Sequence, residues 1–187
     1  VGKSIPEQMK PLNVKPEMAY VFKEKASGKE IKSAEYLEDT VKYKYVSSQI
    51  LNEDAMIPKI RDFSLTDTSG AEFTDKALEG NKFLIILKSK ENLESVEFKK
   101  VFSLANKSVK RKVETFVLTS MPQAEITKIK KDYKITFPTF NCDEKVLKTM
   151  ARANPCFVLL KDGTVLGKWS YNNLPSFDKV NELLTEK

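Results

Sequence analysis

The sequence contains no histidine. That absence excludes Cys–His and Ser–His nucleophilic pairs, imidazole general bases and His-ligated zinc. Cysteine is scarce as well: Cys142 and Cys156 are too few for an all-cysteine zinc site or a disulfide framework. Arginine occurs only at Arg61, Arg111 and Arg152, so all but three of the 32 basic residues are lysine. Nucleic-acid readers favour arginine for bidentate contacts, with aromatics interleaved, so no nucleic-acid partner is expected. The apolar run Phe83 to Leu87 falls far short of the roughly 20 residues a membrane helix needs. No signal-peptide pattern follows Val1-Gly2-Lys3, and the missing initiator methionine reads as a trimmed or processed start.

What is present suits a water-soluble globular core. Of 187 residues, 41% are hydrophobic and 31% charged, with a formal net charge of +6. The lysines are dispersed as on a solvated surface, with one denser run at Lys107 to Lys112. A basic face toward anionic lipid headgroups is the second reading of that run.

The first seventeen residues hold Pro6, Pro11 and Pro16 and read as an extended lead-in, with a turn of helix at Ile5 to Met9. Met18 to Phe22, a Ser27-Gly28 turn and Glu30 to Lys32 predict a hairpin. Ala34 to Glu38 reads as a short helical or turn segment, and Lys42 to Val46 as a half-buried strand. Residues 1–58 are therefore expected to hold a lead-in and a small β-rich module, and residues 59–187 a second domain. Beyond Pro58, Asp62 to Asp67 reads as a strand closing at Gly70, and Thr74-Asp75 as the cap of a helix through Leu78. Phe83 to Leu87 is a buried strand. Apolar residues between Asn92 and Ala105 form a helical stripe. Val113 to Leu118 is the next strand, and a helix with Pro122 in its first turn continues to about Tyr133. A short extended piece (135–140), a helix (143–153), a hairpin and a helix capped by Ser176 complete the chain. The hairpin carries the clearest signal, with Asp162-Gly163 between Phe157–Leu160 and Thr164–Trp169. Strands alternating with helices and ending in an antiparallel hairpin imply an α/β domain, a mixed sheet with helices on both faces.

That order, with Pro155 opening the hairpin, resembles the thioredoxin-like fold. Asp62-Phe63-Ser64-Leu65-Thr66-Asp67 with Gly70 is similar to the opening strand of its redoxin and TlpA-like branch. The resemblance implies that Pro155 is a cis-proline facing an active site. More narrowly, Val1 to Glu7, Pro58 to Leu65 and Leu147 to Pro175 resemble the soluble C-terminal part of DoxX-type membrane proteins of Bacteroidetes. That likeness implies a tether to a membrane, and the TlpA-like resemblance implies its extracytoplasmic, periplasmic side.

The redox motif is where the chain departs from this family. A thioredoxin-like enzyme places Cys-x-x-Cys, or one peroxidatic cysteine, just after the first buried strand, where a helix N-terminus lowers the thiol pKa. Here the vestigial motif position holds Asn92-Leu93-Glu94-Ser95, with Asn92 expected as an N-cap and Glu94 as a dipole-complementing residue. Dithiol exchange is thus excluded. Cys156, next to Pro155, is the one weak catalytic candidate, read against a small hydrophobe opening a buried strand. Cys142, beside Asp143 at a helix start, is weighed in the same way. A Cys142–Cys156 disulfide is not expected across the intervening helix. Arg152 is expected in a structural salt bridge, or else orienting an anion or a carbonyl near Pro155. Trp169, Tyr171, Asn172 and Asn173 close the hairpin as core cover or interface. Asp62, Asp67 and Asp75 show no paired-carboxylate or metal-loop spacing. No cofactor and no metal is implied.

The expected function is a redox-inactive thioredoxin-like domain that binds or scaffolds an unknown protein partner within a membrane-associated protein. The alternative is a single-cysteine thiol oxidoreductase or redox sensor using Cys156 beside a cis-Pro155.

Overall fold

A computed structural model describes residues 1–10, 14–58 and 60–185. Pro11 of the lead-in and Lys59 of the expected domain boundary lie outside the described residues. From the N-terminus the elements are α1 (Ile5–Met9), β1 (Met18–Glu24), β2 (Glu30–Ser33), β3 (Tyr43–Ile50), α2 (Glu53–Met56), α3 (Thr74–Leu78), β4 (Asn81–Leu87) and α4 (Phe98–Ser108). They continue with β5 (Val113–Thr119), α5 (Gln123–Asp132), β6 (Thr139–Asn141), α6 (Glu144–Met150), β7 (Cys156–Lys161), β8 (Thr164–Ser170) and α7 (Phe177–Thr185). Two compact units result: Lys10–Lys59, and Val1–Met9 together with Ile60–Lys187.

The smaller unit is an antiparallel sheet in the order β2-β1-β3. Its centre is Phe22 on the middle strand, 1% exposed, with the rings of Tyr36, Tyr43 and Tyr45 edge-on around it. Edge-to-face aromatic pairs of this kind stabilise a sheet beyond the area they bury. The strand expected to be half-buried, β3, is exposed along its length except at Tyr43, because it is the sheet's edge. Ala34 to Glu38 forms a bend and irregular chain, where a helix or turn was expected; it serves to lay Tyr36 across Tyr20 and Phe22.

The larger unit is a five-stranded mixed sheet, β6-β5-β4-β7-β8. β4 pairs parallel with β5, and β5 with β6, while β4–β7 and β7–β8 are antiparallel. The central strand β4 is buried on both faces, which accounts for its unbroken apolar run. Phe83, Ile85 and Leu87 face one layer, with Val101 and Leu104 of α4, Ile126 and Ile129 of α5 and Val180 of α7. Leu84 and Ile86 face the other, with Ile5 of α1, Ala77 and Leu78 of α3 and Leu147 of α6. At the hairpin, Asp162 (φ 47) and Gly163 (φ 71) make the left-handed two-residue turn that matches strand twist.

Of the lead-in, Val1–Met9 are part of this unit. Gly2 N–H donates to Val165 O (2.7 Å), Val165 N–H to Lys3 O (3.0 Å) and Ile5 N–H to Gly163 O (2.9 Å), so it covers the start of the β8 edge. Pro6 then packs on the hairpin turn, where a Cβ at Gly163 would lie 2.5 Å from its ring.

Three local expectations change. Asp62 to Asp67 is not a strand. Thr66 makes single bridges to Glu72 and Asn141, because Asp67 Oδ1 accepts from the Ser69 and Ala71 amides and curls the chain away. Thr74 does not cap its helix; it is the first helical residue, and its hydroxyl accepts from the buried Leu65 amide (2.8 Å). The helix before the hairpin stops at Met150. It is capped at its start by Asp143, whose carboxylate accepts from the Lys145 and Val146 amides.

Candidate functional site

The sheet register places the chain just after β4 against the chain just before β7. Ile86 pairs with Cys156, and the antiparallel register carries Leu87 and Lys88 alongside Pro155 and Asn154. The Asn154–Pro155 peptide is cis, and Pro155 is buried.

The residue that organises this junction is Asn154. Its Oδ1 accepts from the Lys88 amide (2.8 Å) and more weakly from the Ser89 amide (3.4 Å). Its Nδ2 donates to Ser89 O (3.1 Å), Ser89 Oγ (3.0 Å) and Glu91 O (2.8 Å). One side-chain amide thereby uses its acceptor and both donors on a single loop. Lys88 closes the junction from the other side, its ammonium donating to Ala151 O (2.7 Å) and Arg152 O (3.1 Å). The loop after β4 is thus stitched to the segment before β7 by side-chain bonds from both partners.

Past the clamp, Asn92 takes the left-handed conformation (φ 63) and its side chain caps nothing. A short 3-10 turn, Leu93–Ser95, closes on it through Ser95 N–H to Asn92 O (3.2 Å). Leu93 and Val96 turn into the core, and α4 starts only at Phe98. Asn92 as the helix N-cap and Glu94 as a first-turn residue are therefore corrected: burying Leu93 and Val96 around a 3-10 turn delays the start of the helix to Phe98. Asn92 and Ser95 are exposed. Ser95 lines a shallow cleft of about 200 Å³ with Val96, Glu97, Lys100, Tyr171 and Asn172.

Both thiols are free and buried. Cys156 is 2% exposed, and burial pushes its pKa up, only partly opposed by the charges of Lys168 and Lys88. Burial, with a smaller contribution from the Asp143 carboxylate, raises Cys142 to about 12. Each is a neutral, shielded thiol at neutral pH, the opposite of what an attacking thiolate needs. Arg152 is exposed and, among the described residues, forms no ion pair; only its backbone carbonyl is engaged, by Lys88. The expected salt bridge does not form among the described residues, where α6 ends at Met150, before Arg152. Among the described residues, no cluster of three or more cysteines, aspartates or glutamates could hold a metal ion.

Trp169 lies partly buried against the core, its indole directly over Gly167. Sequence reading missed Asn154, Lys88 and Ser89. The available signal was the pairing of a polar residue before Pro155 with two polar residues directly following the most apolar strand.

No protein-family model matches the chain, and no curated protein matches it. Solved structures do. A thiol:disulfide interchange protein from a Bacteroides species superposes with a TM-score of 0.51 at 11% identity, covering 65% of this chain and 82% of its own. The thioredoxin domain of a thiol-disulfide oxidoreductase from Bacteroides vulgatus gives 0.50 at 12% identity, covering 65% and 89%. A protein of Neisseria meningitidis described as a candidate thioredoxin gives 0.50 at 22% identity, covering 66% and 85%. Likeness at such identities speaks to architecture and leaves activity open. The chain contains a thioredoxin-like domain, a mixed five-stranded sheet between helices, with a separate three-stranded antiparallel sheet toward its N-terminus.

Proposed function

We propose that this chain is a thiol-independent binding unit of thioredoxin-like fold, serving a protein held at a membrane. The observation that carries the reading is the junction around Asn154. Where exchange chemistry would need a thiol, the loop from Lys88 to Glu97 has no cysteine, and the Lys88 amide and the Ser89 and Glu91 carbonyls are engaged by one side chain. The burial of Cys156 and its raised pKa support the same reading. The membrane setting draws on the likeness of Val1–Glu7, Pro58–Leu65 and Leu147–Pro175 to DoxX-type proteins. Within the described residues, no helix is long and apolar enough to cross a membrane, so a tether would lie outside them.

Two measurements test this. In an insulin-reduction assay with dithiothreitol the chain should add nothing to the uncatalysed rate. Catalysis that disappears in Cys156→Ser would overturn the reading in favour of a one-cysteine enzyme. Reading the gene upstream of Val1 should reveal consecutive apolar helices. A gene without them would remove the membrane setting.

A further inference from the structure

The chain's positive charge is concentrated in one stretch. Residues 98–134 hold ten basic and three acidic side chains, a net +7, against +6 for the whole chain, so everything else is net −1. This stretch is α4, β5 and α5, and both helices pack on the same face of the sheet. The chain just past α5 lies against α4, with Phe98 on Tyr133 (5.0 Å between ring centroids) and Phe102 on Phe137 (5.7 Å). Lys99, Lys100 and Lys107 of α4 and Lys128 and Lys131 of α5 are exposed on that side of the sheet.

The densest part is the knuckle after α4. Lys107, Lys110, Arg111 and Lys112 are all exposed, and among the described residues none pairs with a carboxylate. Cations at a helix C-terminus complement its dipole, but that benefit fades within the last turn and does not call for four. In their midst Val109 is 64% exposed. Apolar tips ringed by lysine suit an interface where hydrocarbon lies beneath anionic headgroups.

We infer that this face docks electrostatically on an anionic lipid bilayer, with the Lys107–Lys112 knuckle as its point of contact. Lysine outnumbers arginine nine to one in the stretch, and its aromatics Phe98, Phe102, Phe116 and Tyr133 pack inward. Point charges without exposed stacking rings favour headgroups over nucleic acid, whose readers use arginine forks and base-stacking aromatics. Docking would also set orientation. Asn81 Nδ2 donates to Arg111 O (3.0 Å), which fixes the knuckle beside the start of β4, whereas Asn154 grips the chain just past its end. At about 3.3 Å per residue β4 separates the two by roughly 20 Å. The Asn154 junction would then face away from the membrane, toward a partner. The inference deepens the membrane setting proposed above and rests on it, yet its assay reads the basic face alone, so either can fail without the other.

The test is cosedimentation of the whole chain with vesicles of one-third phosphatidylglycerol in phosphatidylcholine, against phosphatidylcholine alone. Binding is expected to the anionic vesicles only, and to be lost as salt rises from about 0.05 M to about 0.5 M and shortens the screening length. The triple variant Lys107→Gln/Lys110→Gln/Lys112→Gln should bind on the order of 100-fold more weakly, at about fivefold per cation. Arginine at the same three positions should retain binding, which separates lost charge from lost folding. Lys23→Gln/Lys29→Gln/Lys32→Gln removes equal charge from the exposed surface of the smaller unit and should change affinity less than about twofold. Absence of wild-type binding, equal losses in the two glutamine variants, or tighter binding to a DNA duplex than to the vesicles at equal salt would each overturn the inference.

Discussion

Replacing Asn154 by alanine removes the five hydrogen bonds that join the loop after β4 to the start of β7. Their contributions are unequal. The bond to Glu91 O faces solvent, where water substitutes, and the 3.4 Å contact to the Ser89 amide is long. The three others, at 2.8, 3.1 and 3.0 Å, involve part-buried groups. At about 1 kcal/mol each, the loss comes to about 3 kcal/mol. For a unit of this size that lowers Tm by roughly 10 °C, at about 3 °C per kcal/mol. Thermal unfolding followed by circular dichroism measures the total, and amide hydrogen exchange locates it. The Lys88 amide should lose protection in Asn154→Ala while the core of β4 keeps its own. Asn154→Asp sharpens the argument, because it retains the acceptor for the Lys88 amide but turns the former donor into an oxygen facing two carbonyls. It should keep Lys88 protection and still lose at least as much stability. If Asn154→Ala unfolds within about 2 °C of wild type with Lys88 protection unchanged, the Asn154 clamp does not hold the loop.

Gly167→Ala should cost about 1–3 kcal/mol by overpacking, since its Cβ would lie 2.1 Å from the Trp169 ring; a shift in the fluorescence of this single tryptophan should accompany the loss. Lys82 is buried beneath the ring of Phe116 and paired with Glu114. Glu114→Ala should therefore destabilise by about 1–2 kcal/mol, less than a fully buried pair because Glu114 itself is largely exposed, while Lys82→Met should be near neutral. Because Cys142 is raised from 9.0 to about 12, the folded chain holds a proton that the unfolded chain releases in that range. Stability should therefore fall as pH rises from about 9 toward 12, and Cys142→Ala should flatten that part of the profile in urea titrations. At neutral pH both cysteines should label with a thiol reagent only when denaturant is added, and rapid native labelling of Cys156 would contradict its burial.

Much of the architecture was legible from local chemistry. Asp162-Gly163 between apolar runs specified the hairpin, because few other dipeptides accept two left-handed residues in succession. The unbroken apolar character of Phe83 to Leu87 specified a strand covered on both faces. The absence of histidine left imidazole chemistry no residue to act through. Tertiary structure decided the rest, because those features depend on partners distant in the chain. Asn154 reads as a helix breaker in sequence, and only the pairing of β4 with β7 brings Lys88 and Ser89, more than sixty residues away, within reach of its amide. Asn92 reads as a cap until the burial of Leu93 and Val96 delays the helix to Phe98. Gly2 to Ile5 read as an extended lead-in until their backbone pairs with Gly163 to Val165 of the hairpin. Composition shows an excess of lysine, but only the fold places both lysine-bearing helices, α4 and α5, on the same side of the sheet. A sequence carries propensities and exclusions, which are local; hydrogen-bond partners and charged faces depend on which segments the fold makes neighbours.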